Sequence, residues 1–403
     1  MIACSVMHTP ADARSSLPES EGWRGVDATC PRPQPPSADA PLSLRLVGRA
    51  GLIAGAWVGS RLLVAIAALA VGSLVPRNPA LTAGSPGGLL GALTSWDGWW
   101  YLGIARNGYH AAALAPGYHD YAFFPLYPLL VRILSFPIPR LDGLVAVLIS
   151  NALFLVALAL LYRLTCEVLD ERRATLTCVY LCLFPFAWVF SMAYGEGLFL
   201  VLTLWALLEA EHGHAGRAAV LASLAGATRL PGILLMVPIA LILWRRVSDR
   251  RALAWLAFIP VFAAAFLAYT AWLSGSLGSF AAEKTGWGSS GIGTAGAGTS
   301  LGAGLDPLQA SLLVTFLAYV FLLVYLRPDR VPLAYATIPV LTLAAVFARG
   351  ELESVGRYGM VAFPFVWALA GRGSRWFRLA WPIASSVLFV VTAVVAFSGH
   401  AAP

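Results

Sequence analysis

The sequence predicts an all-α, polytopic membrane protein of about nine spanning helices, with a re-entrant helix pair and interfacial helices in the first outer loop. Three observations carry that expectation. Hydrophobic residues make up 59% of the chain and charged residues 12%, against roughly a quarter charged in a soluble domain. Apolar runs of helix length recur from residue 50 almost to the C-terminus. Between them the basic residues gather in short arginine clusters, the pattern that marks the cytoplasmic ends of membrane helices. That clustering accounts for the formal charge of +7 without nucleic acid as a partner. At 403 residues the chain has room for about ten spans, so a single integral domain over 45–403 is the simplest count.

The elements follow in order. Residues 1–44 are rich in Pro, Ser and charge and are expected to form a disordered cytoplasmic tail. The first apolar run begins only after Arg45 and Arg49, too late for a cleavable signal peptide. It covers 50–75 and ends at Pro76, Arg77, Asn78 and Pro79. A long outer segment then extends to about Tyr121. Later runs fall at 144–165, 174–193, 197–208, 252–273, 305–326, 331–347, 358–370 and 379–397.

One further apolar stretch, 217–244, is broken by Arg229, Pro231 and Pro238. It is too long for one straight span and too short for two. The orientation rule decides how to treat it. With the N-terminus inside, Arg172, Arg173, Arg217, Arg245, Arg246, Arg250, Arg251, Arg327, Arg330, Arg372, Arg375 and Arg378 all fall inside, provided this stretch enters and returns. It is therefore expected to form two half-helices meeting near Arg229 and Pro231 and lining a polar cavity. The same topology sends Asp97, Arg106, His119, Asp120, Glu196, Glu283, Lys284, Glu351, Glu353 and Arg357 to the opposite face. A plain anchor has no reason to sort its carboxylates in this way, so an outward-facing site is expected.

Cys166, Cys178 and Cys182 lie in or beside membrane helices, and Cys4 and Cys30 lie in the tail, so no disulfide framework is expected. Cys178 and Cys182 share a helix face, yet no His or carboxylate recurs nearby at ligand spacing. Packing is the plainer reading.

The chemistry concentrates in the first outer loop. Trp96, Trp99, Trp100 and Tyr101 suit a helix lying at headgroup level. Asp97, early in that helix, fits two roles: a cap favoured by the helix dipole, or a general base near the membrane surface. The run at 122–130, with Pro125 and Pro128, resists being a regular span and fits either a lipid-facing wedge or a groove for a lipid tail. Glu196, at the outer junction of two spans, is costly unless paired or hydrated. An ion pair with Arg229 or Arg357 and contact with substrate fit it equally. Arg229 precedes Pro231 at the start of a half-helix and suits an anion site, an internal salt bridge or snorkelling. Residues 280–287 carry Glu283 and Lys284, and a Gly, Ser and Thr-rich stretch follows to 304, which fits a solvated loop or a loop closing over substrate.

Trp96-Asp97, Ile104-Ala105, Gly108-Tyr109 and Ala122-Phe123-Phe124-Pro125-Leu126-Tyr127-Pro128 together resemble the PIG-V family of mannosyltransferases. The resemblance continues at Phe184-Pro185-Phe186, Tyr194-Gly195-Glu196, Ala227-Thr228-Arg229, Arg357-Tyr358 and Phe363-Pro364. It implies a GT-C type fold and transfer of mannose from a polyprenyl or dolichyl phosphate to an acceptor at the non-cytoplasmic face, by inverting displacement. It also implies Asp97 as the catalytic carboxylate. Arg229, Arg357 and Lys284 are then expected to bind the donor phosphate. Trp96, His119, Asp120, Tyr194, Glu196 and Tyr358 are expected to contact substrate. Two positions depart from the family: Gly195 stands where Ser is usual, and His119-Asp120 stands where Glu usually precedes Ala-Phe-Phe-Pro.

No metal or other cofactor is expected, since the outer loop has no Asp-x-Asp pair, although a divalent metal would be compatible. The expected partners are a polyprenyl-phosphate sugar donor and membrane lipids, and the expected location is a bacterial plasma membrane with the active site outside. A transporter or flippase would also place charges and broken helices near the midplane, but would show inverted repeats of the spans. A transferase of another sugar on the same fold, or an inactive scaffold, also fits the residues.

Overall fold

In the computed structural model, the described residues are 42–78, 87–112, 119–278, 307–324, 326, 331–349, 355–372 and 374–399. Residues 1–41 of the expected tail, Glu283, Lys284, Glu351 and Glu353 lie outside them. Among the described residues the architecture is helical, apart from one isolated bridge between Val71 and Val75.

The chain opens with α1 (Leu42–Ala70), then the short helices α2 (Gly88–Leu93), α3 (Asp97–Asn107) and α4 (Leu126–Ser135). Next come α5 (Asp142–Val168), α6 (Glu171–Cys182) and α7 (Glu196–Glu211). Asp170 starts α6 by accepting the Arg173 N–H at 2.8 Å, a side-chain cap for a free first-turn donor. The core sits around α7, which is apolar on every side and buried along nearly its whole length, as a central helix must be. It packs on α5 and on α8 (Ala215–Gly226). Gly197 lets it approach closely, because an added Cβ would lie 3.3 Å from the Ser150 carbonyl. On the far side of α5, the Arg61 guanidinium of α1 donates to Asn151 Oδ1 at 2.9 Å and lies over the Phe154 ring. Those contacts meet part of the need of a charge within an apolar helix, the Arg61 Nε being buried without a hydrogen-bond partner.

The remaining helices are α9 (Met236–Arg246), α10 (Val261–Ser274), α11 (Pro307–Leu323), α12 (Leu333–Arg349), α13 (Val355–Val361), α14 (Pro364–Ala370) and α15 (Arg375–Phe397). The Trp367 indole of α14 donates to Thr165 of α5 at 2.8 Å, and Trp188 donates to Thr392 of α15 at 3.0 Å. Such bonds tie helices together where apolar contact alone gives little preference. Outward, α1 presents Leu52, Leu62, Ile66 and Leu69, and α15 presents Leu379, Ile383, Val387 and Val391, all exposed. Large apolar rows on an outer surface belong to a protein whose solvent is lipid.

Among the described residues four segments, Gly48–Ala70, Pro139–Val168, Arg250–Ser274 and Arg375–Phe397, are long and apolar enough to cross a membrane. The expected nine are not all continuous helices, and proline explains part of the difference. The run at 174–193 is α-helical only to Cys182, after which Pro185 precedes a 3-10 turn over Ala187–Ser191. The run at 358–370 divides into α13 and α14 at Pro364. Proline removes a backbone donor and biases the preceding residue away from helix.

The stretch at 217–244 breaks where the sequence indicated. α8 ends at Gly226, a 3-10 turn covers Leu230–Leu235, and α9 follows. The turn folds back tightly: an added Cβ on Gly232 would overlap the backbone of Ala225 and Gly226. The two arms return to one end, where Gly213 faces the Arg246 carbonyl, 3.9 Å from an added Cβ, and Arg246 donates to Glu211 at 2.6 Å. Gly232→Ala should therefore lower stability by about 1–3 kcal/mol in a thermal-unfolding measurement, through overpacking against rigid backbone. Gly103→Ala, inside α3 where an added Cβ meets nothing within 4 Å, should leave the midpoint unchanged or raise it, because alanine favours a helix interior. Equal midpoints for the two variants would contradict this hairpin packing.

Candidate active site

The breaks in the helices bring four charges together. Asp97 is the first residue of α3 and Glu196 the first of α7. Arg229 sits at the hairpin break in extended conformation, φ −155° and ψ 136°, and Arg357 lies in α13. Arg357 Nη1 pairs with Asp97 Oδ2, and Arg229 Nη1 pairs with Glu196 Oε1. Arg357 Nη1 also stands 3.8 Å from Glu196 Oε1, linking both pairs into one cluster. The side chains are 2% exposed for Glu196, 10% for Arg229, 12% for Arg357 and 23% for Asp97. Two cations and two carboxylates sum to zero, the condition for holding charges away from water at bearable cost.

An aromatic shell encloses the cluster. The Arg229 guanidinium lies 4.5 Å from the Tyr358 ring centre, and Arg357 lies 5.9 Å from the rings of both Tyr194 and Tyr358. These distances suit cation–π attraction, which strengthens where water is excluded. Tyr101, one turn after Asp97 on α3, packs edge-on against Tyr127 at 5.1 Å. Burial first, then the Glu196 carboxylate, pushes its phenol well above the ordinary tyrosine range, so it remains a neutral hydroxyl. The Tyr127 and Ser150 hydroxyls are 2.8 Å apart, and Ser150 donates to the Tyr194 carbonyl at 3.3 Å.

Each charge is held by its local backbone. Trp96, immediately before Asp97, has φ 56°, a left-handed conformation rare for a non-glycine residue and a store of strain. Its indole donates to the Ala396 carbonyl at 2.9 Å, while the Asp97 N–H donates to the Tyr194 hydroxyl at 3.2 Å. Gly195, where the family favours serine, has room for little more: an added Cβ would lie 3.4 Å from Thr228 Cγ2 and from the Tyr101 hydroxyl. Around Arg357 the backbone is pressed against rings, because a Cβ on Gly356 would strike Phe186 and one on Gly359 would strike Tyr319.

The structure thus unites Asp97, Tyr194, Glu196, Arg229, Arg357 and Tyr358, with Trp96 adjoining through the backbone. His119 and Asp120 belong to a different cluster, past the C-terminal end of α3. There Asp120 Oδ2 is 2.9 Å from His110 Nδ1 and accepts the His110 N–H at 3.2 Å, and the His119 ring stacks on Tyr121 at 4.7 Å. Asp120 Oδ1 and His119 Nδ1 are buried without hydrogen-bond partners. Sequence reasoning missed His110, whose only signal was its place just after Gly108-Tyr109, and it missed Tyr101, which the i+4 spacing from Asp97 would have found. Arg106, expected outside, pairs with Asp142, donating through Nη2 at 2.9 Å. A separate cavity of about 310 Å³ at the other end of α7 is lined by Glu167, Glu211, Arg245, Arg246 and Tyr335, among others, and contains no expected site residue.

A family model described as Mannosyltransferase (PIG-V) matches residues 61–270, just over half of the chain. The GPI alpha-1,6-mannosyltransferase 2 of Mus musculus is 33% identical over 156 residues, covering 36% of this chain and 30% of that protein. The protein of the same name from Cricetulus griseus is 34% identical over the same shares of each. The matched portion therefore spans less than a third of these relatives' length. Among solved structures, the Archaeoglobus fulgidus oligosaccharyltransferase tethered to an acceptor peptide is similar at a TM-score of 0.46 and 13% identity, covering 87% of this chain and 55% of that chain.

Burial decides which ion pair matters to stability. Arg229→Met takes from the nearly enclosed Glu196 its close partner, leaving Arg357 at 3.8 Å to be shared with Asp97, and should cost about 3–5 kcal/mol. Arg163→Met removes its pair with Glu167, whose side chains are 61% and 34% exposed, and should cost no more than about 1 kcal/mol. Thermal unfolding of the two variants in detergent checks the ordering, and equal losses would refute it.

Proposed function

The chain belongs to the PIG-V mannosyltransferase family, and from that premise we propose that it transfers mannose from a polyprenyl phosphate to an acceptor hydroxyl at the non-cytoplasmic face, by inverting displacement on a GT-C type fold. The observation that carries this reading is the meeting of one half-buried carboxylate, Asp97, with two buried guanidiniums, Arg229 and Arg357, at broken helix ends. Displacement at the sugar carbon needs both kinds of group. As the acceptor oxygen bonds to that carbon, Asp97 takes the hydroxyl proton. As the carbon–oxygen bond to phosphate breaks, its electrons remain on the lipid phosphate, whose growing negative charge Arg229 and Arg357 meet.

The other roles follow from position. Tyr194 and Tyr358 flank the arginines and offer ring faces and hydroxyls to a sugar. Trp96 orients Asp97 through the strained backbone between them, and Glu196 contacts the phosphate-binding arginines. His119 and Asp120, beyond the opposite end of α3, offer polar atoms for hydroxyl groups farther along the substrate. Lys284, outside the described residues, is assigned to the donor phosphate on the family resemblance. Neither a nucleotide nor a metal enters the proposed step, because the phosphate is carried on the lipid and its charge is met by arginine. The membrane is proposed to be a bacterial plasma membrane with the N-terminus inside. Support for that orientation comes from Arg172, Arg173, Arg217, Arg245 and Arg246, which gather around the ends of helices away from Asp97.

Asp97→Asn tests the base. The variant should fold, because Glu196 remains 3.8 Å from Arg357 and still compensates that cation. Transfer of labelled mannose from a polyprenyl-phosphate donor should fall about 100-fold or more. Undiminished transfer by a folded Asp97→Asn protein would remove Asp97 from the mechanism.

A further inference from the structure

Glu196 is more deeply buried than a substrate-contacting carboxylate needs to be, and it is incompletely satisfied. One of its oxygens, Oε1, serves both arginines, pairing with Arg229 and standing 3.8 Å from Arg357. The other, Oε2, is buried without a hydrogen-bond partner. A buried, unmet carboxylate oxygen costs free energy that a purely structural ion pair would avoid by bidentate geometry. Thr228 and the Tyr101 hydroxyl stand against the preceding residue, Gly195, each 3.4 Å from where a Cβ would lie. The charge count adds a second argument. Among the described residues the four groups sum to zero, and a phosphodiester brings one more negative charge into the same enclosed space. For both guanidiniums to turn to the phosphate, a resident carboxylate must let go.

We infer that Glu196 is an internal stand-in for the donor phosphate: its carboxylate holds Arg229 and Arg357 while the lipid is absent and yields them when the phosphate arrives. The inference rests on the proposed function in taking that phosphate to belong to a polyprenyl carrier. Two consequences follow. The arginines keep their positions in the empty site, so entry of the donor requires no rearrangement of buried cations. The exchange also sets the departing lipid phosphate against an internal competitor, which weakens its hold and favours its release. Asp97 is no substitute in this role, since it bonds only Arg357 and is the more exposed of the two carboxylates.

The test measures binding of farnesyl phosphate and, separately, inorganic phosphate to the full chain in detergent, by calorimetry and by the shift in unfolding midpoint. With its competitor neutralised, Glu196→Gln should bind farnesyl phosphate about tenfold more tightly than the unaltered protein, a difference of about 1.4 kcal/mol. Ligand should also raise its lowered midpoint by more. In transfer assays its donor KM should fall together with kcat, the sign of slowed product release. Adding Arg229→Gln to Glu196→Gln should abolish the gain. If Glu196→Gln does not fold, Glu196→Asp, which keeps the charge but shortens the reach, should show a gain of about threefold. Unchanged or weaker binding of both phosphates in whichever variant folds would overturn the inference. A gain toward inorganic phosphate, with no variant responding to farnesyl phosphate, would uphold the exchange and overturn the lipid donor. Mannose transfer by the unaltered protein with no gain in the variants would overturn the exchange alone.

Discussion

The structure depends on a neutral cluster of four charges buried at the meeting of broken helices: Asp97 with Arg357, and Glu196 with Arg229. Charges of either sign alone would be intolerable there, because desolvating an ion costs several kcal/mol that only close partners recover. Much of the surrounding architecture reads as the means of keeping those partners close. α7 must begin beside α5, which Gly197 permits. The hairpin of α8 and α9 must turn tightly enough to aim Arg229 inward, which Gly232 permits. α13 must lie flat against Phe186 and Tyr319, which Gly356 and Gly359 permit.

The aromatic residues serve the same constraint from the other side. Tyr194 and Tyr358 present ring faces to the arginines, and Tyr101 packs edge-on against Tyr127 beside them, all in place of water. A cation over a ring keeps part of its solvation, yet the ring cannot compete with a phosphate for the guanidinium hydrogens. Strain falls at the edge of the cluster: Trp96, at φ 56°, is the one non-glycine residue with positive φ among those described, and it immediately precedes Asp97.

The second polar group, His110, His119 and Asp120, lies past the other end of a short helix from Asp97. α3 carries Asp97 at its start, and the chain leaves its end through Gly108 at φ 77°. Tyr109 and Tyr121 then fix the following loop, the Tyr121 hydroxyl donating to the His110 carbonyl at 2.7 Å. Phe123 stacks on Trp100 and meets Tyr101, so an aromatic layer joins the two polar regions.

By itself the sequence determined the solvent, the residue types of the site and the place where a helix had to break. Composition and arginine clustering are properties of the chain alone, and Pro231 beside Arg229 disrupts a helix wherever it is packed. Asp97, Glu196, Arg229 and Arg357 were legible because a charge in an apolar run demands a reason. Only the tertiary structure decided which carboxylate holds which arginine, with Asp97 and Arg357 260 residues apart in sequence. Only tertiary structure, too, set His119 and Asp120 in another cluster and divided several expected spans into shorter helices. The physical reason is range. Periodicity and proline act within a few turns of helix, whereas ion pairing in a buried site depends on how whole helices pack, and nothing local in the chain specifies that distance.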